Sequence, residues 1–95
     1  DTCTRLDRHA GQQVLRNGCG HAITLVHCGV NPTGNASLDC NRRQLAMQGV
    51  RPNGIVIVGD ARGSYGRVHW MECAGGKTPS NVRWTGREIQ GDCPR

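Results

Sequence analysis

The sequence predicts a small all-β domain stapled by disulfide bonds, either an antiparallel β-sandwich or a barrel. Six cysteines are spread over the 95 residues of the chain. Fourteen glycines and four prolines divide the remainder into short apolar segments. No segment longer than about twelve residues keeps the 3.6-residue period of a helix. We therefore expect residues 1–95 to form one domain of short strands joined by turns.

The cysteines compensate for a shortage of apolar side chains. Val, Leu and Ile supply only 17 of 95 residues, and Phe is absent; charged chains begin to look disordered below roughly 20%. Each native disulfide in a small secreted domain contributes about 2–5 kcal/mol. An even number of cysteines without a C-x-x-C pair is typical of a disulfide framework rather than a zinc site. The cysteines expected to pair are Cys3, Cys19, Cys28, Cys40, Cys73 and Cys93.

Disulfides also predict the compartment, because they persist in oxidising surroundings. We expect a secreted or periplasmic protein. The chain starts at Asp1 without the basic and apolar regions of a signal peptide, which predicts a mature form from which that signal has been removed. The longest apolar run, Ile55–Val58, is far shorter than the roughly 20 residues of a membrane helix. No membrane span is expected, and the sequence leaves the oligomeric state open.

The first half of the chain contains two predicted strands. Gln12–Arg16 is the first, closed by Asn17-Gly18, a dipeptide suited to positive φ in a tight turn. The second, His21–Cys28, alternates so that both of its faces are partly apolar. It is therefore predicted to be a central strand that carries the core. Residues 29–37 are predicted to form a loop.

The rest of the chain is predicted to contain five more strands. Leu38–Met47 is ambiguous between helix and strand, and we favour a strand that ends at Val50. Pro52-Asn53-Gly54 would then turn it into a hairpin with Gly54–Gly59. The remaining predicted strands are Arg67–Cys73, Asn81–Trp84 and a short one within Gly86–Gly91. Val68 and Trp70 repeat the spacing of Val82 and Trp84, which suggests that these two strands pair and that both tryptophans are core residues. The alternative is that the tryptophans form a platform for stacking on a sugar.

Strand geometry limits the cysteine pairing. An extended strand from Cys19 to Cys28 would separate its ends by about 27–30 Å, whereas a disulfide needs Cα atoms roughly 6 Å apart. These two cysteines therefore have other partners. The candidates are Cys28 with Cys40, across the Pro/Gly loop, and Cys73 with Cys93, across the last hairpin.

The cysteine and tryptophan spacing resembles a loose group of small exported bacterial proteins. The shared pattern covers residues 17–93: Asn17-x-Cys19-x-x-Ala22-Ile23-x-Leu25-x-x-Cys28, Arg67-Val68-x-Trp70-x-x-Cys73, Pro79-Ser80-x-Val82-x-Trp84-x-Gly86 and Cys93. Cys3 and Cys40 fall outside it. The resemblance implies export and a β architecture, and it carries no catalytic residues.

The basic residues supply the candidate binding site. The chain has a formal charge of +5, and its 12 basic residues are eleven arginines and Lys77. Guanidinium groups bind carboxylate, phosphate or sulfate bidentately. A GC-rich genome would produce the same bias, and the arginines are scattered. With two tryptophans and one tyrosine, a dedicated nucleic-acid site is not expected. The candidate binding residues are Arg42, Arg43, Arg62, Arg67, His69 and Arg83.

Metal and catalytic sites are not supported by the sequence. His21 and His27 would lie about 20 Å apart along one strand, and disulfide-bonded cysteines are not thiolate ligands, so no metal and no cofactor are expected. Arg67, His69 and Glu72 could suit a small secreted RNase. However, Glu72 points to the opposite strand face, and no catalytic residue is assigned.

A binding role remains as the favoured function. A rigid stapled domain loses little conformational entropy when its loops bind a target. The sequence favours a secreted or periplasmic binding protein, such as an inhibitor or immunity-type partner of another exported enzyme. The alternatives are a module that binds an acidic glycan or polyanion and a small RNase-like toxin.

Overall fold

The computed structural model describes residues 3–34, 38–60 and 63–94. They form strands and one 3-10 turn, Cys40–Arg42, so the predicted all-β class is confirmed. No helix in these ranges is long and apolar enough to span a membrane. The strands are β1 Thr4–His9, β2 Gln12–Asn17, β3 Ile23–Val30, β4 Thr33–Gly34, β5 Ala46–Val50, β6 Ile55–Asp60, β7 Gly63–Ser64, β8 Arg67–Ala74, β9 Ser80–Trp84 and β10 Ile89–Asp92.

The strands form three sheets whose strand pairs are all antiparallel. The largest has the order β1-β2-β6-β7-β4, the second has the order β5-β3-β8, and β9 pairs with β10. Buried side chains of the first two sheets share one cluster, so these sheets face each other as in a β-sandwich. Side chains from the opposite face of the second sheet meet β10 in another cluster. The second sheet is therefore the middle layer of three.

Each cluster is small and is completed by cysteines. The first cluster lies between the two larger sheets, and the second lies between the middle sheet and the β9–β10 pair. The first consists of Cys3, Leu15, Ile23, Leu25, Val50, Val56 and Val58. The second consists of Val26, Cys28, Cys40, Met71, Cys73 and Ile89.

Strand β3 has the central position that its sequence predicts. It pairs with β5 on one side and β8 on the other. Ile23 and Leu25 enter the first cluster while Val26 and Cys28 enter the second, because neighbouring residues of a strand point to opposite faces. All its residues except Val30 are buried. The apolar character of both faces follows from this position between two clusters.

The three disulfides join Cys3 to Cys19, Cys28 to Cys40, and Cys73 to Cys93. Both pairings favoured from the spacing are confirmed, and so is the exclusion of a Cys19–Cys28 bond. Three disulfides in so small a fold indicate an oxidising compartment. They fasten β1 to the β2–β3 connection, the 3-10 turn to β3, and the end of the chain to β8.

The first hairpin was not predicted, because its turn sequence is unusual. His9 pairs with Gln12 across the two-residue loop Ala10-Gly11. Both loop residues have positive φ, 52° and 79°, as a type I′ turn requires. Asn and Gly usually occupy such turns, and Ala does not signal one. The prediction of a positive-φ turn at Asn17-Gly18 is wrong.

Asn17 instead forms a buried polar connection between the sheets. Its side chain is 1% exposed. Its Nδ2 donates to the carbonyl oxygens of His21, Val50 and Arg51 at 2.9, 3.1 and 3.2 Å. Its Oδ1 accepts from the backbone N–H of Cys19 at 3.0 Å. One amide therefore satisfies backbone groups from the β2–β3 connection, the end of β5 and the turn that follows it.

The strand predicted from Leu38 to Val50 is confirmed only over Ala46–Val50, because Cys40–Arg42 form the 3-10 turn. The predicted hairpin of β5 with β6 is wrong. Strand β5 pairs with β3, and β6 pairs with β2 in the facing sheet. The turn has Pro52 at its second position and Asn53, with φ 60°, at its third, and Gly54 N–H donates to Arg51 O at 2.8 Å. A turn that would fit a hairpin here carries the chain from one sheet to the other.

The predicted pairing of the two tryptophan strands is also wrong. Strand β8 pairs with β3, and β9 pairs with β10. Trp70 packs against the first cluster and Trp84 against the second. Both are partly buried. The repeated Val-x-Trp spacing reflects two strands that each turn one face to a core, and not a contact between them.

Two glycines allow a close crossing of backbone segments. A Cβ on Gly29 would lie 1.8 Å from the carbonyl oxygen of Tyr65. A Cβ on Gly66, where φ is +69°, would lie 2.1 Å from Val30 O and 2.7 Å from Asn31 O. The connection between β7 and β8 thus lies directly on the end of β3.

We expect Gly29→Ala to destabilise the protein by about 1–3 kcal/mol or more, because backbone atoms must move to admit the methyl group. Gly20→Ala is the matched control, since its Cβ would meet nothing within 4 Å. Urea unfolding under non-reducing conditions measures both. Equal midpoints for the two variants would contradict the close crossing.

We expect Asn17→Ala to lower the free energy of unfolding by at least about 2 kcal/mol, since it leaves buried carbonyl groups without donors. Asn17→Asp should cost more, because it keeps the shape but places a carboxylate against three carbonyl oxygens. Asn41→Asp is the control, because Asn41 is exposed and its side-chain oxygen acts only as an acceptor from Trp84. The same unfolding measurement applies, and a neutral Asn17→Asp variant would refute this role.

Candidate functional site

An open groove of about 750 Å³ lies at the end of β3, beside the β9–β10 pair. It combines amide, imidazole, indole and guanidinium groups. Among the described residues, no carboxylate lines it. The lining residues are Val30, Asn31, Asn41, Gly66, Arg67, His69, Trp84, Gly86 and Arg87.

The close crossing and one disulfide position the groove. The close contact of Gly66 with the backbone of Val30 fixes the position at which β8 begins. It therefore also fixes the position of Arg67, the first residue of β8. On the adjacent wall, Cys28–Cys40 anchors the 3-10 turn that carries Asn41. Backbone contacts that are themselves buried or cross-linked thus hold the polar lining in place.

Three side chains of the groove contact one another. Trp84 Nε1 donates to Asn41 Oδ1 at 3.2 Å. The rings of His69 and Trp84 meet edge to face, with centroids 5.0 Å apart and planes at 66°, a favoured aromatic geometry. Since its ring N–H is bonded to Asn41 and the ring packs against His69, the Trp84 indole is held in one orientation.

The positive charge of the groove comes from arginine. Arg67 and Arg87 are exposed. Burial lowers the pKa of His69, and the nearby Arg67 charge lowers it further. The imidazole is therefore neutral at pH 7 and offers one hydrogen-bond donor and one acceptor. The groove presents two cations beside neutral polar groups.

The structure brings together two of the predicted binding residues, Arg67 and His69. Arg83 lies outside the groove and donates to Asn81 O and Gln90 Oε1 at 2.8 and 3.1 Å. Arg42 and Arg43 follow Asn41 at the end of the 3-10 turn and do not line the groove. Arg42 has 78% of its side chain exposed. Arg62 lies outside the described residues.

The binding residues predicted from the sequence did not include Trp84, Arg87, Asn31 or Asn41, although sugar stacking was the alternative considered for the tryptophans. Trp84 was assigned to the core because its strand alternates, and it does pack partly against the second cluster. Arg87 has no local feature that separates it from the other arginines. The two asparagines lie in turns, where Asn is common for backbone reasons alone. Only the fold brings these four residues to one place.

One cluster has the composition of a metal site. Donor atoms of Cys3, Cys19 and His21 lie within 4.8 Å of one another. The two sulfurs are bonded to each other, so the imidazole is the ligand that this cluster can offer. His27 and His69 lie on opposite faces of the middle sheet, because His27 pairs with Trp70 and His69 with Cys28.

The trio considered for RNA cleavage does not converge. Arg67 and His69 line the groove, whereas Glu72 Oε1 accepts from the backbone N–H groups of Cys3 and Thr4 at 3.1 and 2.8 Å. Glu72 therefore holds the start of β1 against β8, on the face away from the groove.

Comparison with known proteins adds no identity. This chain matches no protein-family model, no curated protein and no solved structure. The resemblance to small exported bacterial proteins stays a prediction.

His27 is an unusual core residue. It is 2% exposed and stacks on Tyr65, with ring centroids 6.4 Å apart. Neither ring nitrogen makes a hydrogen bond of ordinary geometry with the described residues. Burial lowers the pKa of His27, and Gln48 on the neighbouring strand opposes this only in part. The neutral ring is the form that fits the core.

We expect the stability of the protein to fall as the pH decreases below about 6.5, the unperturbed pKa of histidine. A folded-state pKa below the unfolded one means that protons bind more tightly to the unfolded chain. His27→Leu should reduce this loss, and His69 accounts for part of the remainder. His9→Gln, at an exposed position, is the control. Thermal unfolding between pH 7 and pH 4.5 measures the slopes, and identical slopes for His27→Leu and wild type would contradict the assignment.

Proposed function

We propose that the protein binds an acidic saccharide in the groove, in an extracellular or periplasmic setting. The observation that carries this proposal is the combination of an immobilised, partly exposed Trp84 with Arg67 and Arg87, and without a carboxylate among the described lining residues.

The indole supports a saccharide rather than a simple anion. The face of an aromatic ring is electronegative and attracts the positively polarised C–H groups of a sugar. Little conformational entropy is lost on binding, because Asn41 and His69 already hold the ring. The Nδ2 group of Asn41 and the neutral imidazole of His69 can bond to hydroxyl groups.

The two arginines support an acidic ligand. A guanidinium forms paired hydrogen bonds with a carboxylate or sulfate. Because Arg67 and Arg87 are exposed, salt should weaken their attraction for the ligand. The groove is also open, so it can accept an internal unit of a chain as well as its end.

The inhibitor or immunity hypothesis remains the competing function. A protein partner would use the same arginines on an acidic surface, but it would not need a sugar-sized groove with a fixed indole. The RNase hypothesis has less support, because Glu72 lies away from Arg67 and His69.

Titration with galacturonate hexamers and heparin-derived hexasaccharides tests the proposal. At least one series should bind and quench tryptophan fluorescence, whereas maltohexaose should not. The quenching should persist in Trp70→Phe and disappear in Trp84→Phe. Affinity should decrease between 50 and 500 mM NaCl. If neither acidic series binds, and envelope extract instead yields one protein retained at high salt, the inhibitor hypothesis replaces this proposal.

Substitutions distinguish binding in the groove from binding to the overall positive charge of the protein. We expect Arg67→Gln to weaken binding about tenfold, the equivalent of one hydrogen bond to a charged group. Trp84→Ala should weaken it by a similar factor. Arg83→Gln is the matched control, because it removes an equal charge from β9 outside the groove. Calorimetry measures all three, and equal losses for Arg67→Gln and Arg83→Gln would show that binding is not localised.

A further inference from the structure

We propose that the Cys3–Cys19 disulfide, with His21 beside it, is a site of thiol–disulfide exchange that accepts a small thiol at Cys19. This activity is independent of the groove. The supporting observations are the access to each cysteine, the position of the imidazole and the contrast with the other two disulfides.

Access favours attack at Cys19. This residue is partly exposed, whereas Cys3 is 8% exposed and belongs to the first cluster. The next residue, Gly20, is exposed and has no side chain that could cover Cys19. A small thiolate can therefore reach the Cys19 sulfur and displace Cys3.

His21 is placed to assist the displacement. Its Nε2 lies 3.9 Å from Cys3 Sγ, and both sulfurs and the ring nitrogen lie within 4.8 Å of one another. Its Nδ1 lies 3.1 Å from the carbonyl oxygen of Ala22, where only an N–H makes a hydrogen bond. In the neutral ring, Nε2 is then free to accept a proton.

The exchange balances without an external oxidant. The incoming thiol reacts as its thiolate: its proton passes through solvent to His21 Nε2, and its sulfur forms a bond with Cys19 Sγ. The Cys3–Cys19 bond breaks, and its electron pair leaves on Cys3 Sγ. The imidazolium then stabilises the Cys3 thiolate, which favours the reaction because exchange is faster when the leaving thiol is more acidic. One disulfide is consumed and one mixed disulfide is formed.

The other two disulfides lack this combination. Cys28 and Cys40 are both 0% exposed, so a thiol has no access to them in the folded protein. Cys93 is exposed, so an external thiol can attack its sulfur. That attack would displace Cys73, which is 2% exposed and lies in the apolar second cluster. Apolar burial disfavours a thiolate, so Cys73 is a poor leaving group.

Backbone contacts hold the site in place after the bond opens. The N–H of Cys19 donates to Asn17 Oδ1, and the N–H of Cys3 donates to Glu72 Oε1 at 3.1 Å. The negative charge of the Glu72 carboxylate destabilises a thiolate on Cys3. The positive charge of the protonated His21 ring stabilises it.

Short incubation of the folded chain with 2-mercaptoethanol at pH 7 tests the proposal. Acid quenching, alkylation and peptide mapping by mass spectrometry would locate the products. The first product should carry mercaptoethanol on Cys19 and an alkyl group on Cys3. Opening of Cys73–Cys93 should follow more slowly, and Cys28–Cys40 should open last. If Cys93 reacts first, the proposal is wrong.

His21→Gln provides the second test. We expect it to slow the opening of Cys3–Cys19 about tenfold while leaving the rate at Cys93 unchanged. The Cys93 rate also reports whether the variant is folded, so a general loosening is distinguishable. His21→Lys should recover part of the rate, because it restores a cation, and His9→Gln should have no effect. An unchanged rate in His21→Gln would overturn the role of the imidazole.

Discussion

The fold depends on the buried amide of Asn17. The chain passes repeatedly between the two larger sheets, and two of these passages, after β2 and after β5, meet at this side chain. Carbonyl groups at such crossings point away from both sheets and would be buried without donors. The backbone of Asn17 adds two bonds, from its N–H to Gly54 O and from Asn53 N–H to its own oxygen, both 3.0 Å long. The crossings are therefore joined by hydrogen bonds and not by apolar packing.

The disulfides and the central strand solve a related problem. A chain with few large apolar residues cannot fill one wide core, and this one divides its apolar residues between two thin clusters that share β3. A strand buried on both faces needs only one set of short apolar residues to serve both layers. Each cluster includes cysteines, so the bonds that restrict the unfolded chain also occupy core volume. Cys28 acts in both ways, because it lies on β3 and anchors the 3-10 turn.

The parts that were predictable from the sequence depend on local pattern, and the parts that were not depend on pairing. The alternation within His21–Cys28 predicted the central strand, and two of the disulfides were candidates because their cysteines lie on either side of a loop or of the last hairpin. The hairpin of β1 and β2 was missed, because Ala10 carries no turn signal. The tryptophan strands and the Pro52 turn were assigned wrong partners, since identical local sequences suit a hairpin and a passage between sheets. Within the groove, Arg67 and His69 share one strand face and were found together. Trp84 and Arg87 reach them only through tertiary structure.

The lining of the groove also reflects the shortage of large apolar side chains. Gly29 and Gly66 let two backbone segments touch without intervening side chains, and Gly66 lines the recess beside this contact. Because apolar residues are scarce, the recess is lined by amide, imidazole and guanidinium groups around a single indole. Such a lining is poorly suited to an apolar ligand but matches one that offers hydroxyl groups and negative charge. The scarcity of apolar residues that makes the disulfides necessary for stability is therefore also the basis of the ligand class that we propose for the groove.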